Sequence, residues 1–118
     1  MSTKGDEQRG AQFIPLADTD ALDELFEISH SKPVVLFKHS TTCPISSAAY
    51  QEMSRYGGDV SLVVVQQARD ISRAVEARTG VRHESPQAIV LRNGQAVWNA
   101  SHWSVRSGAV EHAVHEHE

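Results

Sequence analysis

The sequence is short of several things, and each shortage excludes something. It has a single cysteine, Cys43, so no internal disulfide can brace the fold, and a reducing compartment, the cytoplasm, is the expected setting. It has no long hydrophobic run: the longest strongly apolar stretches, at 33–37 and 62–65, fall far short of the ~20 residues that a bilayer span needs. It has no basic surplus, with 11 Lys and Arg against 15 Asp and Glu, a formal charge of -4. Such a chain attracts phosphate backbones and anionic lipid only weakly, and neither nucleic acid nor membrane is expected as a partner. The opening MSTKGDEQRG lacks the apolar centre of a secretory signal. Residues 1–10 are expected to form a flexible tail and 11–118 a single domain. A Gly-rich phosphate loop and a nucleophile elbow are also missing, and the acidic residues form no evident pair.

What is present is enough for a packed core, since 40% of residues are apolar and only 22% charged. The patterns alternate. QFIPL at 12–16 suits a short edge strand, where a proline removes one ladder donor. Asp18 can cap a helix carrying Ala21, Leu22, Leu25, Phe26 and Ile28 at i, i+3, i+4 spacing, ending near Ser29. PVVLFK at 33–38 reads as a strand buried on both faces. The hydroxyls of Ser40, Thr41 and Thr42 are expected to cap the next helix, with Pro44 in its first turn, Ala48, Tyr50 and Met53 along it, and its end near Tyr56 before Gly57-Gly58. A strand at 60–65 and a helix at 68–79 closed by Gly80 follow. Strands at 87–91 and 95–99 flank Asn93-Gly94, the strongest short hairpin signal. Ser104 is expected to cap a last helix containing Val105, Ala109, Val110, Ala113 and Val114. The order is β-α-β-α-β-α-β-β-α.

Cys43 falls where a buried strand hands over to a helix start, a place where backbone N–H groups and the helix dipole favour negative charge and therefore a thiolate. The competing reading is a small buried hydrophobe, a common fate of free cysteine. The local sequence is Cys43-Pro44-Ile45-Ser46. One helical turn on, where a second cysteine would resolve a mixed disulfide, stands Ser46, whose hydroxyl can donate to the thiolate but cannot attack sulfur. An intramolecular dithiol cycle is therefore excluded, and any disulfide at Cys43 needs an external thiol to resolve it.

The segments FKHSTTCPIS, GVRHESPQ, NGQAVW and SHW, in this order over this strand pattern, resemble the bacillithiol system redox-active protein family (YtxJ), also described as monothiol bacilliredoxins. The resemblance runs from 33 to about 108, about two thirds of the chain. It implies an α/β thioredoxin-like fold, with a mixed central sheet flanked by helices. It also implies exchange with bacillithiol or another low-molecular-weight thiol as co-substrate, no bound cofactor, and S-thiolated proteins as partners. On this resemblance Cys43 is the nucleophile, Thr42, Pro44 and Ser46 support its thiolate, and Glu84, Ser85 and Pro86 receive the substrate. Pro86 is expected to be cis, leaving the Ser85 backbone open to a substrate strand; an ordinary turn proline is the alternative.

Lys38 and His39 precede Cys43, but alternate strand residues face opposite ways, so at most one can serve the thiol. His83 and His102 are candidates for donating a proton to a leaving thiolate, against a purely structural role. Trp98 and Trp103 suit core or rim packing. No metal site is expected: His39 with Cys43 gives two ligands where structural zinc needs four, and His112, His115 and His117 lie in a terminal segment.

Three other functions compete with exchange catalysis. A redox-sensing adaptor would be S-thiolated at Cys43 without turnover. A thiol peroxidase would pass through a sulfenic acid, and an iron–sulfur carrier would bridge a cluster between two copies. The sequence leaves the oligomeric state open between a monomer and a weak dimer.

Overall fold

The computed structural model describes residues 10–118; the expected tail at 1–10 lies almost wholly outside them. Five strands, β1 (Gln12–Pro15), β2 (Val34–His39), β3 (Asp59–Val64), β4 (Gln87–Arg92) and β5 (Gln95–Ser101), form one sheet in the order β1-β3-β2-β4-β5. The β1–β3 and β3–β2 pairs are parallel; β2–β4 and β4–β5 are antiparallel. Four helices complete the fold: α1 (Thr19–Ile28), α2 (Pro44–Met53), α3 (Arg69–Thr79) and α4 (Ser107–Glu116), with a 3-10 turn at His102–Ser104 before the last. None is long and apolar enough to cross a membrane.

The central strand explains the layering. Successive side chains of β2 alternate between faces. Val34 and Leu36 pack with Leu22 and Phe26 of α1 and Ile71 and Val75 of α3. Val35 and Phe37 pack with Ala49 and Met53 of α2 and Val110 and Ala113 of α4. Leu36 and Phe37 are wholly inaccessible to solvent, and each such side chain contributes about 1.5–3 kcal/mol by leaving water. A strand that is apolar on both faces reflects a sheet covered by helices on both faces.

Local signals are realised where they depend on one residue. The Asp18 carboxylate accepts the Ala21 N–H at 2.8 Å, Gly80 closes α3 at φ 73°, and Asn93 (φ 57°) and Gly94 (φ 75°) make the β4–β5 turn. Three boundaries differ from expectation. First, α2 stops at Met53, not near Tyr56, because the Arg55 and Tyr56 N–H groups turn to the i−3 carbonyls of Glu52 and Met53 at 3.1 and 3.0 Å, while the Ser54 carbonyl accepts the Ala11 N–H at 2.9 Å. Gly10 sits so close there that a Cβ would lie 2.3 Å from the Ser54 oxygen. Second, α4 begins at Ser107, not after Ser104. His102–Ser104 is taken into the 3-10 turn, Val105 drops into the core at 2% exposure, and the Ser107 N–H is satisfied by Glu52 Oε1 of α2 at 3.0 Å. Third, the hydroxyls of 40–42 do not cap α2; the N-cap is Cys43 itself.

Candidate functional site

Sheet register brings four loops to one end of the molecule. His39 at the end of β2 lies beside Val64 at the end of the parallel β3. On the other side Lys38 pairs with Gln87, the first residue of β4, and Gln87 pairs with Ser101, the last of β5. The loop carrying Cys43, the loop after β3, the Ser85-Pro86 segment and the His102–Ser104 turn therefore share an edge.

Cys43 is extended (φ -103°, ψ 124°) and half-buried at the N-cap of α2, with Pro44 opening the helix. Its carbonyl accepts the Ser47 N–H at 3.0 Å, while no side chain caps the remaining N–H groups of the first turn. At a usual N-cap an oxygen from Ser, Thr, Asp or Asn takes that place. Here the side chain at that position is the sulfur of Cys43.

The loop before it is held from two directions. The Ser46 hydroxyl, fully buried one turn into α2, accepts the Ser40 N–H at 3.0 Å, and its own hydrogen is left to donate. Thr42 is exposed, and its hydroxyl is turned to Gln66, whose Nε2 donates to Thr42 Oγ1 at 3.2 Å and to Ser40 Oγ at 2.9 Å. Gln66 Oε1 in turn accepts the Thr41 N–H at 3.3 Å. Sequence reasoning missed Gln66, because a polar residue in a loop carries no signal until the parallel β2–β3 pairing places it beside residues 40–42.

Across from this loop the Ser85-Pro86 bond is cis. Pro86 is buried, and its carbonyl accepts the His102 N–H at 2.9 Å. The ladder of β4 begins only at Gln87. Neither peptide group of Ser85 enters a main-chain hydrogen bond among the described residues, and its buried hydroxyl has no partner there. His102, at φ 55°, places Nδ1 3.9 Å from Glu84 Oε1, both side chains being well exposed. Trp103 beside it is 67% exposed, whereas Trp98 is half-buried in the layer of α2 and α4.

Lys38 and His39 do point to opposite faces. His39 lies between Phe37 and Tyr50, with centroids 5.8 and 4.9 Å away. Burial pushes its imidazole below its ordinary value, opposed by a hydrogen bond to the Ser46 backbone. Lys38, fully buried, reaches the α3 side, where its amine ends 3.1 Å from His83 Nδ1. Burial lowers Lys38 to about 8, opposed by Glu76. The same His83 nitrogen lies 3.1 Å from Ser72 Oγ. Burial, followed by the Lys38 charge, lowers His83. His83 is thus anchored to α3, while His102 is the histidine tied to Pro86.

A family model for the monothiol bacilliredoxin BrxC matches residues 14–110, from within β1 to the first turn of α4. The chain belongs to that family. Bacilliredoxins of this family have the thioredoxin-like α/β fold described above, and this chain carries the single cysteine that a monothiol member requires. Among solved structures, one described as a candidate oxidoreductase with a thioredoxin fold is 33% identical over 96% of this chain and 97% of its own, with a TM-score of 0.79. A thioredoxin from Nicotiana alata is 16% identical over 92% of this chain and 95% of its own, with a TM-score of 0.70. A thioredoxin from Malassezia sympodialis is 18% identical over 93% of each, with a TM-score of 0.66. The two thioredoxins are alike in fold.

Proposed function

We propose that this bacilliredoxin removes bacillithiol from S-thiolated proteins through a mixed disulfide on Cys43. The Cys43 thiolate attacks the bacillithiol sulfur of a protein–bacillithiol disulfide. A new S–S bond forms, the old one breaks, and the protein thiolate leaves and takes up a proton. A second bacillithiol thiolate then attacks the bacillithiol sulfur held on Cys43, releasing the Cys43 thiolate and bacillithiol disulfide. The target disulfide gains two electrons and two bacillithiol molecules lose them. The cytoplasm, with its reduced thiol pool, is the setting in which this cycle runs.

The observation that carries this reading is that the sole cysteine is the side chain at the uncapped start of α2. Ser46 supplies a hydroxyl for the thiolate and Pro44 starts the helix without needing a donor. Thr42 acts by fixing the loop through Gln66. The unpaired peptide groups of Ser85 receive the backbone of the target, beside Pro86 and Glu84. His102, tied to Pro86 and facing Glu84, is the better placed of the two histidines to protonate the leaving thiolate; His83 is held by Lys38 and Ser72.

The test is turnover. With a bacillithiolated protein and excess bacillithiol, many equivalents of free target thiol are expected per equivalent of enzyme. A single equivalent, halting at the Cys43 adduct, would instead indicate a sensor or adaptor.

A further inference from the structure

Beside the Cys43 loop lies a cleft of about 300 Å³, lined by Gln66, Arg69, Ser72, Arg73, Glu76 and His83. Two of these residues connect it to the proposed site. Gln66 holds the hydroxyls of Ser40 and Thr42 immediately before Cys43. His83 stands two residues before Ser85, so the cleft has one wall from each loop flanking the sulfur.

Its floor is one face of α3, since 69, 72, 73 and 76 follow the i, i+3, i+4, i+7 spacing. Among the described residues Arg69, Arg73 and Arg82 are the arginines whose side chains have no ion-pair or hydrogen-bond partner, and the first two share this face. Arg55 pairs with Glu52 and Arg78 with Asp23, and Arg92 donates to the Ser29, His30 and His117 carbonyls. Arg69 and Arg73 are exposed, and among the described residues neither has an ion-pair or hydrogen-bond partner outside the helix backbone. The one carboxylate in the cleft, Glu76, accepts the His83 N–H at 3.2 Å and interacts with the buried Lys38, which offsets its charge. The N-terminus of α3 has no side-chain cap, and Asp70 in its first turn offsets part of the positive end of the helix dipole.

Two guanidinium groups on adjacent helical turns, without a side-chain partner among the described residues, are suited to fork-like hydrogen bonding of carboxylates. The volume is at the small end for ligand pockets, ~300–1,000 Å³, and fits the head of a small thiol better than a peptide. We infer that this cleft takes the carboxylate-bearing end of the low-molecular-weight thiol while its sulfur exchanges at Cys43. The inference rests on the exchange reading above and adds selectivity to it: small thiols ending in carboxylates are preferred over neutral or cationic ones. Bacillithiol, whose malate end is a dicarboxylate, is one of that class.

The test compares three symmetric disulfides of similar length as substrates of the full chain: dithiodipropionate (anionic), hydroxyethyl disulfide (neutral) and cystamine (cationic). Each rate is divided by that of the same disulfide with a free small thiol. The anionic disulfide is expected to lead the neutral one by about tenfold at low salt, the scale of one charge-assisted contact. The double variant Arg69→Ala/Arg73→Ala should collapse that ratio toward one, and 1 M salt should weaken it. In parallel, succinate titrated into Cys43→Ser should shift amide resonances at 66–76 and 83, and these shifts should vanish in the arginine variant. Exchange without charge preference, or a preference unaltered by the double variant, overturns the cleft assignment and leaves exchange standing. Succinate binding without exchange of any disulfide supports the cleft and overturns exchange. Failure of both overturns both.

Discussion

The Lys38 amine ends 3.1 Å from Nδ1 of His83, joining the fully buried end of β2 to the segment before the cis proline. Lys38 is lowered by burial from 10.5 to about 8. Between those pH values the unfolded chain binds more protons than the folded one, so stability rises with pH across that window. Full removal of the charge is worth up to about 3 kcal/mol, at roughly 1.4 kcal/mol per pH unit. Below pH 8 both states are protonated and the contribution is flat. Urea melts from pH 7 to 10.5 should show this rise, and Lys38→Met should be more stable at pH 7 and lose the slope. An unchanged slope in that variant would mean that the lysine is not the titrating group.

Gln66 makes three hydrogen bonds to residues 40–42. All are exposed, so Gln66→Ala should cost only about 1 kcal/mol of stability, visible as a small shift in the urea midpoint. The exchange rate at Cys43 should fall by more than stability does, about tenfold, because a loosened loop no longer holds the sulfur in place. Equal rates in variant and parent would remove Gln66 from the positioning of the site.

Ser46 stands one helical turn beyond Cys43, its side chain fully buried. Ser46→Cys should create a pair able to close an internal disulfide, so that a bacillithiol adduct at Cys43 is short-lived and bacillithiol is released without a second small thiol. Replacing the oxygen that accepts the Ser40 N–H should cost about 1 kcal/mol. A persistent adduct in this variant would show that position 46 cannot reach the sulfur.

Glu52 Oε1 caps α4 through the Ser107 N–H, and that bond, ahead of Arg55 and Arg106 nearby, holds its carboxyl below the ordinary value. This stabilisation is present above the unfolded carboxyl's titration and is lost as pH falls through the folded one. Glu52→Ala should cost about 1 kcal/mol and speed hydrogen exchange at Ser107. Exchange no faster than in the parent would mean that the carboxylate is not the cap.

What the sequence discloses depends on the range of the interaction. The capping by Asp18, the turn at Asn93-Gly94 and the stop at Gly80 are decided within a few residues, and β2 announces its double-sided burial in VVLF. Cys43, Pro44 and Ser46 lie on one short stretch, so their place at the strand-to-helix junction can be read from local sequence. The start of α4 was not, because the helix begins at Ser107, whose N–H is taken by the Glu52 carboxylate 55 positions earlier in the sequence. Gln66, Arg69 and Arg73 were silent for a similar reason. Polar residues in a loop and on an amphipathic helix match a solvated surface, and only the β2–β3 register brings Gln66, which shares the cleft with the two arginines, to residues 40–42. Ser85-Pro86 was legible through family resemblance alone, since no local rule fixes the isomer.

Thiol exchange by this protein requires the Cys43 sulfur to be an accessible nucleophile. Its most direct measurement is the intact mass of the native protein after incubation with oxidised bacillithiol. One adduct, mapped to Cys43, reversed by reduced bacillithiol and absent from a folded Cys43→Ser variant, is the result expected. An unmodified mass, with the protein still folded, would contradict the account.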